Sequence, residues 1–264
     1  MDYNKMLKQA KEWVIQAGEM SFEKSKQSLD ITYKTSHSDL VTKVDKEVEK
    51  FLIEKILAHY PDHGIVGEEG TFEKDPDEFD TLWIIDPIDG TINFVHQQVN
   101  YVISVAVTHK EKGVFGIIYD PSRDELFWAA RGEGAYLNEQ RLQNTRLERL
   151  EESLICTGLF WNERIEKSKL LEMIYQLPKH CRGIRVYGCA ALELAYVAAG
   201  RLDAYISLYL NPWDFAAGKM IVEEAGGVIT TWEDAPLSYL EAGPLIASNP
   251  GLHKQLLSFI QRDL

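Results

Sequence analysis

The chain has 264 residues, of which 45% are hydrophobic and 26% charged, and its formal net charge is −13. Composition of this kind belongs to an ordinary globular protein, which at this length buries roughly three quarters of its unfolded surface. The acidic excess repels a nucleic-acid backbone or an anionic membrane over most approach directions, so neither partner is expected, whereas a cation is compatible with it.

The first 20 residues place Met6, Ala10, Trp13, Val14 and Ala17 at helical spacing with charges between them. This pattern predicts an amphipathic helix rather than a signal peptide. No run of roughly 18 apolar residues occurs anywhere, so no spanning helix is expected. Cys156, Cys181 and Cys189 form no CxxC pair and cannot all be bridged within one chain, which points to free thiols in a reducing, cytoplasmic setting.

After a polar stretch at Lys34–Asp39, a second helix is predicted to carry Val44, Val48, Phe51, Leu52 and Ile56 on one face and to end at Pro61. LWIID (82–86) reads as a short strand closed by Pro87. YVISVAVTH (101–109), GVFGIIYD (113–120) and ELFWAAR (125–131) read as a meander, with turns at Lys110–Gly113 and Pro121–Asp124. The charged run at 145–153 reads as a join. Beyond it come SLICTG, a helix near 163–177, IRVYG, a helix over ALELAYVAAG, LDAYIS, a helix from Asp214 to Glu224, GVITT, PLIASN and a last helix. Alternation of this kind predicts a mixed α/β (α+β) fold of two packed halves, 1–145 and 146–264.

Asp45, Glu68, Asp86, Asp89 and Asp214 stand out among the acidic side chains. Three have bland readings: Thr42 and Asp45 have the spacing of a capping box, Asp214 sits at a helix entry, and Glu68 with Glu69 fits a solvated turn. WIIDPIDGTINF is harder to dismiss, because an apolar strand runs directly into two carboxylates followed by Gly90 and Thr91. Three extended steps span about 10 Å, against roughly 3.5–4 Å between paired catalytic metals. The chain is therefore expected to turn between Asp86 and Asp89, with Pro87 and Gly90 making the turn cheap. Gly90 and Thr91 would then open a short helix whose free N–H groups suit a phosphate. Carboxylate and carbonyl donors favour Mg²⁺ over zinc. A haloacid-dehalogenase site would place one residue between its aspartates; here two intervene, which favours metal-activated water over a phospho-aspartyl enzyme.

DLVTKVD (39–45), GEE (67–69), WIIDPIDGTINF (83–94), RGEGAYLN (131–138), the stretch from Arg185 to Tyr205, and WDFAAG with EEAGG (213–227) together resemble the inositol monophosphatase family of Mg²⁺-dependent, lithium-sensitive phosphatases. The resemblance runs over nearly the whole chain. It implies a layered αβαβα sugar-phosphatase fold, a homodimer, and two to three Mg²⁺ ions between the halves. By residue match, Glu68, Asp86 and the Ile88 carbonyl would hold one metal, and Asp86, Asp89 and Asp214 a second. Gly90 and Thr91 would cradle phosphate, while Asp45 with Thr91 would place and deprotonate the attacking water. Metal coordination brings water, with a pKa of 15.7, toward about 7 and offsets phosphoryl charge, which is what hydrolysis of a monoester by in-line attack requires.

Departures from the family concentrate where the alcohol half of the substrate would lie. Ser207 stands where relatives carry a glutamate that bonds an inositol hydroxyl. Cys189, followed by Ala190 and Ala191, stands where serine is common, and Ile92 replaces a threonine and is expected to pack. The expected activity is hydrolysis of inositol monophosphate, with Gly90, Thr91, Cys189, Ala190, Ser207 and Asp214 meeting the substrate. A broader sugar-phosphate phosphatase acting on fructose 1,6-bisphosphate or NADP is the alternative, and a non-catalytic Mg²⁺ or sugar-phosphate binding module is the reading from another class.

Overall fold

The computed structural model describes residues 2–26, 31–33, 40–72, 74–159 and 175–263. The polar stretch at Lys34–Asp39 and most of the helix expected near 163–177 lie outside the described residues. The first helix, α1 (Tyr3–Ser25), starts at Asp2, whose carboxylate accepts from the Lys5 amide at 3.0 Å. All five apolar residues of its predicted stripe are buried. A short antiparallel pair, β1 (Ile31–Tyr33) and β2 (Leu40–Thr42), leads into α2 (Lys43–His59). There Val44, Val48, Leu52, Ile53 and Ile56 are buried, with Ile53 in the core and Phe51 only half-buried at its edge.

The large sheet has seven strands in chain order: β3 (Gly64–Gly67), β4 (Thr81–Asp89), β5 (Val102–His109), β6 (Lys112–Asp120), β7 (Glu125–Ala130), β8 (Gly134–Leu137) and β9 (Gln140–Arg141). Only β3 and β4 run parallel. A short helix, α3 (Thr91–His96), follows β4. Because both faces of the sheet are covered, its middle strands are apolar throughout instead of alternating. Trp83, Ile85, Ile103, Val105 and Ile117 pack toward α1 and α2, while Ile84, Ala106 and Ile118 join the core on the other side.

The second sheet is built from β10 (Leu154–Thr157), β11 (Gly183–Arg185), β12 (Ala204–Leu210), β13 (Val228–Thr230) and β14 (Gly243–Ser248), in the order β11-β10-β12-β14-β13. Between the sheets lie α4 (Ala190–Ala198) and α5 (Pro212–Glu224), and α6 (Pro250–Asp263) covers the outer face. The layers are thus α1/α2, the large sheet, α4/α5, the second sheet and α6. Two glycines let the middle layer sit close: a Cβ at Gly116 would stand 2.6 Å from the Ala217 carbonyl oxygen, and one at Gly218 would stand 2.6 Å from Leu194.

Two boundaries differ from expectation. α5 begins at Pro212, two residues ahead of Asp214, because proline is well suited to a first helical turn that has no use for its N–H. β4 does not stop at Pro87 but continues through Asp89. The pairing with β5 goes from Asp86 opposite Ser104 to Asp89 opposite Val102, so three steps on β4 face two on β5. This is a β-bulge, which absorbs Pro87 because a bulged residue needs no ladder N–H. The turn expected between Asp86 and Asp89 is therefore replaced by a bulge, and the chain turns at Gly90. Among the described residues, no helix is long and apolar enough to cross a membrane.

Candidate active site

The bulge changes which way successive side chains point. Ile84 faces α4/α5 and Ile85 faces α1/α2, as in a regular strand; Ile88 then lies on the α1/α2 side, where unbroken alternation would have put it opposite. Asp86 and Asp89 consequently both point toward the middle helices. Asp86 folds its carboxylate back to accept from the Ile88 amide at 3.0 Å. The Asp89 carboxylate accepts from the Ala191 amide, in the first turn of α4, at 2.5 Å. Cys189, just before α4, is buried and donates its thiol to the Asp89 carbonyl at 3.3 Å.

Gly90 takes the left-handed conformation, with φ of 89°, and a Cβ there would stand 3.0 Å from the Asn100 carbonyl oxygen and 3.1 Å from Cys189. Only glycine meets both demands. Thr91 opens α3, and its hydroxyl lies 3.2 Å from Asp45 Oδ1 and 3.1 Å from the Ile88 carbonyl oxygen. Asp45, on the first turn of α2, is fully buried and faces this hydroxyl. Asp214 has a double position. Its carboxylate accepts from the Asn211 amide at 2.7 Å, so the capping expectation holds, and its charge also bears on Asp86.

Burial pushes the Asp86 carboxyl well above the usual carboxylate range, and the nearby charges of Glu68, Asp89 and Asp214 push it further. Asp89 is raised to about 7, chiefly by burial and against the pull of the Ala191 N–H. Asp214 is raised by burial and then by Asp89. Among the described residues, no three His, Cys, Asp or Glu side chains stand in the spacing of a preformed metal cage. Four acidic groups nevertheless act on one another here, and such an all-oxygen set of like charge is compensated by a hard divalent cation. The donors therefore fit Mg²⁺.

Three further acidic residues hold this arrangement and were not singled out from the sequence. Glu49 is fully buried and accepts from the Glu69 amide at 3.0 Å and the Thr71 amide at 3.2 Å, as well as from the Thr71 hydroxyl, which orders the loop carrying Glu68. Glu193 accepts from the Tyr187 and Gly188 amides at 2.8 and 3.0 Å. Glu224 accepts from the Gly132 and Gly134 amides at 2.8 and 2.9 Å and ties the β7–β8 turn to α5. The first two carried a signal. Glu49 lies one helical turn after Asp45, beside the apolar stripe of α2, and Glu193 is the sole charge within ALELAYVAA.

Asp89, Asp214, Cys189, Ala190 and Ser207 line a cavity of about 570 Å³. Ile92 lines it too and is 42% exposed, so it does not pack into the core as expected. The model of the inositol monophosphatase family matches residues 2–263.

This chain belongs to that family.

Among inositol monophosphatase relatives, the chain is 45% identical over 250 residues to an inositol-1-monophosphatase of Bacillus subtilis, covering 94% of this chain and 93% of that protein. It is 38% identical over 227 residues to the Nus factor SuhB of Escherichia coli K12, covering 86% and 84%. A solved IMPase/NADP phosphatase complexed with Mg²⁺ and phosphate superposes with a TM-score of 0.90 at 27% identity, over 100% of this chain and 97% of that one. The mixed α/β inositol monophosphatase fold is thus common to all of the described chain.

Proposed function

We propose that this phosphatase-family chain hydrolyses inositol monophosphate, with Mg²⁺ as cofactor, by in-line attack of water on the phosphoryl group. The observation that carries the reading is the convergence of Asp86, Asp89, Asp214 and Glu68 beside Gly90 and Thr91, with Asp45 reaching Thr91 from α2. Glu68, Asp86, the Ile88 carbonyl, Asp89 and Asp214 would hold Mg²⁺, which supplies acidity to water and neutralises charge on the phosphoryl oxygens and leaving alkoxide. Asp45 accepts the proton that the attacking water gives up, relayed through the Thr91 hydroxyl, which passes its own proton to Asp45 as it takes the water's and so ends unchanged. Gly90 and Thr91 bind the phosphate. The Ala191 N–H keeps the Asp89 carboxylate aimed. The mutual repulsion of the carboxylates makes the site selective for a divalent cation over water alone.

The inositol-1-monophosphatase relative and the IMPase/NADP phosphatase solved with Mg²⁺ and phosphate support a phosphatase and an Mg²⁺ requirement. Release of phosphate from inositol 1-phosphate with Mg²⁺, abolished by chelation, is the expected result; turnover that survives a chelator would overturn it. Ser207 and Ile92 in the cavity favour a second, broader reading, in which fructose 1,6-bisphosphate or NADP is also cleaved. Parallel turnover assays on the three esters separate the two readings, and binding without turnover on any of them would mark a non-catalytic module. The two halves, 1–145 and 146–264, are proposed to share this one site. A homodimer is proposed on the family resemblance, and size-exclusion chromatography with light scattering tests it.

A further inference from the structure

Five large apolar side chains stand out as exposed among the described residues: Ile92, Val99, Tyr175, Val186 and Tyr209. Ile92, Val186 and Tyr209 all line the cavity that holds Asp89 and Asp214. They come from α3, from the segment after β11 and from β12, so their sharing one cavity is a product of the fold and not of local sequence. Single exposed apolar residues need no explanation, whereas a cluster around the mouth of a polar site marks a surface that an apolar group covers.

The rim is held in place. The Asn93 amide donates to the Tyr187 carbonyl at 2.7 Å and lies 3.4 Å from that of Gly188, while Glu193 receives the N–H groups of the same two residues. The segment that begins at Val186 is thus gripped through both its donors and its acceptors. The hydroxyl of Ser207, which is buried, lies 3.4 Å from the Tyr209 carbonyl oxygen, so it belongs to the inner wall and Tyr209 to the outer. The described residues that line the cavity include no lysine or arginine to meet a second phosphate.

We propose that Ile92, Val186 and Tyr209 form an apolar collar that favours phosphate monoesters whose alcohol half extends beyond a single small ring or chain with an aryl or alkyl face. The inner cavity takes the carbon bearing the phosphate, and only a longer alcohol reaches the collar. The proposal rests on the phosphatase reading above. Because burying apolar surface against such a collar strengthens binding without touching the phosphoryl chemistry, the effect belongs in KM.

The test is steady-state hydrolysis of ethyl, benzyl and 2-(2-naphthyl)ethyl phosphate with Mg²⁺, a series in which every leaving group is a primary alcohol. KM is expected to fall about tenfold or more from the ethyl to the naphthylethyl ester. In the Val186→Ser, Tyr209→Ser double variant, and separately in Ile92→Thr, that gradient is expected to shrink to about threefold or less. Equal KM across the series, with phosphate still released, overturns the collar and leaves the phosphatase reading standing. No phosphate from any ester or from inositol 1-phosphate overturns the reading beneath it. A gradient that persists in both variants overturns the assignment to these residues.

Discussion

At the wall of the cavity that Asp89 lines, the contiguous stretch Asp86–Thr91 brings two carboxylates, a carbonyl and a hydroxyl together, and its geometry follows from one bulge and one left-handed glycine. The second wall carries Val186 from the segment after β11, which Asn93 and Glu193 hold, and Ser207 and Tyr209 from β12. The first wall is a local device that the rest of the fold shields from water. The second is assembled by tertiary structure and meets the first through Cys189, whose thiol donates to the Asp89 carbonyl. Chemistry is therefore expected to be insensitive to changes at Val186, Ser207 and Tyr209, and substrate choice insensitive to changes on the first wall that spare the second.

The comparison breaks most sharply at Asp89. Asp89→Asn keeps an acceptor for the Ala191 amide but removes the charge, and phosphate release is expected to fall on the order of 10²- to 10³-fold. A loss confined to KM would show that the local device is not where the chemistry resides. Next comes Glu49→Ala, which frees the loop bearing Glu68; the Mg²⁺ concentration for half-maximal activity is expected to rise about 10- to 100-fold with little change in maximal rate. A Mg²⁺ titration at saturating substrate checks this.

On the second wall, Glu193→Ala leaves the Tyr187 and Gly188 amides without their carboxylate. KM for inositol 1-phosphate is expected to rise roughly tenfold, with partial recovery in Glu193→Gln, which retains one acceptor. An unchanged KM would separate this wall from substrate binding. The smallest effect is on stability. In metal-free protein the Asp89 carboxyl, raised to about 7 by burial, keeps its proton where the unfolded chain has released it. This contribution is fully present below about pH 4 and is lost as pH rises through about 7, so the metal-free protein is expected to melt progressively lower across that window. Mg²⁺ replaces the proton, and the difference in Tm with and without it is expected to grow by a few degrees from pH 5 to pH 7.5 in scanning calorimetry.

The two walls also differ in how far they could be read from the residues alone. The strands of the meander, the first two helices and the acidic segment were legible because their periods and neighbours are local. The bulge was not, since a proline after an apolar run reads equally well as the end of a strand; only pairing with β5 decides it. Asp214 reads as a cap from its place at a helix entry, and its carboxylate accepts from the Asn211 amide; its proposed metal role rests on the family resemblance. Ile92 reads as a packing residue in sequence, whereas it lines a cavity shared with Val186 and Tyr209, more than ninety residues away. Glu193 was passed over since one carboxylate in an apolar helix says that something must receive it without saying what.

The bulge has a consequence for why two residues separate the aspartates. In an uninterrupted strand, carboxylates two positions apart share a face and both neighbours stay in the ladder, so a spacer of one residue delivers two charges and nothing else. A spacer of two has the wrong parity and needs an irregularity to correct it. That correction leaves Pro87 and Ile88 without partners in the β4–β5 register. The released Ile88 carbonyl, within reach of the Thr91 hydroxyl, is thereby made available as a neutral oxygen donor between two charged ones. On the proposed reading of the site, one additional residue would turn a pair of carboxylates into a three-point oxygen ligand drawn from a single strand end.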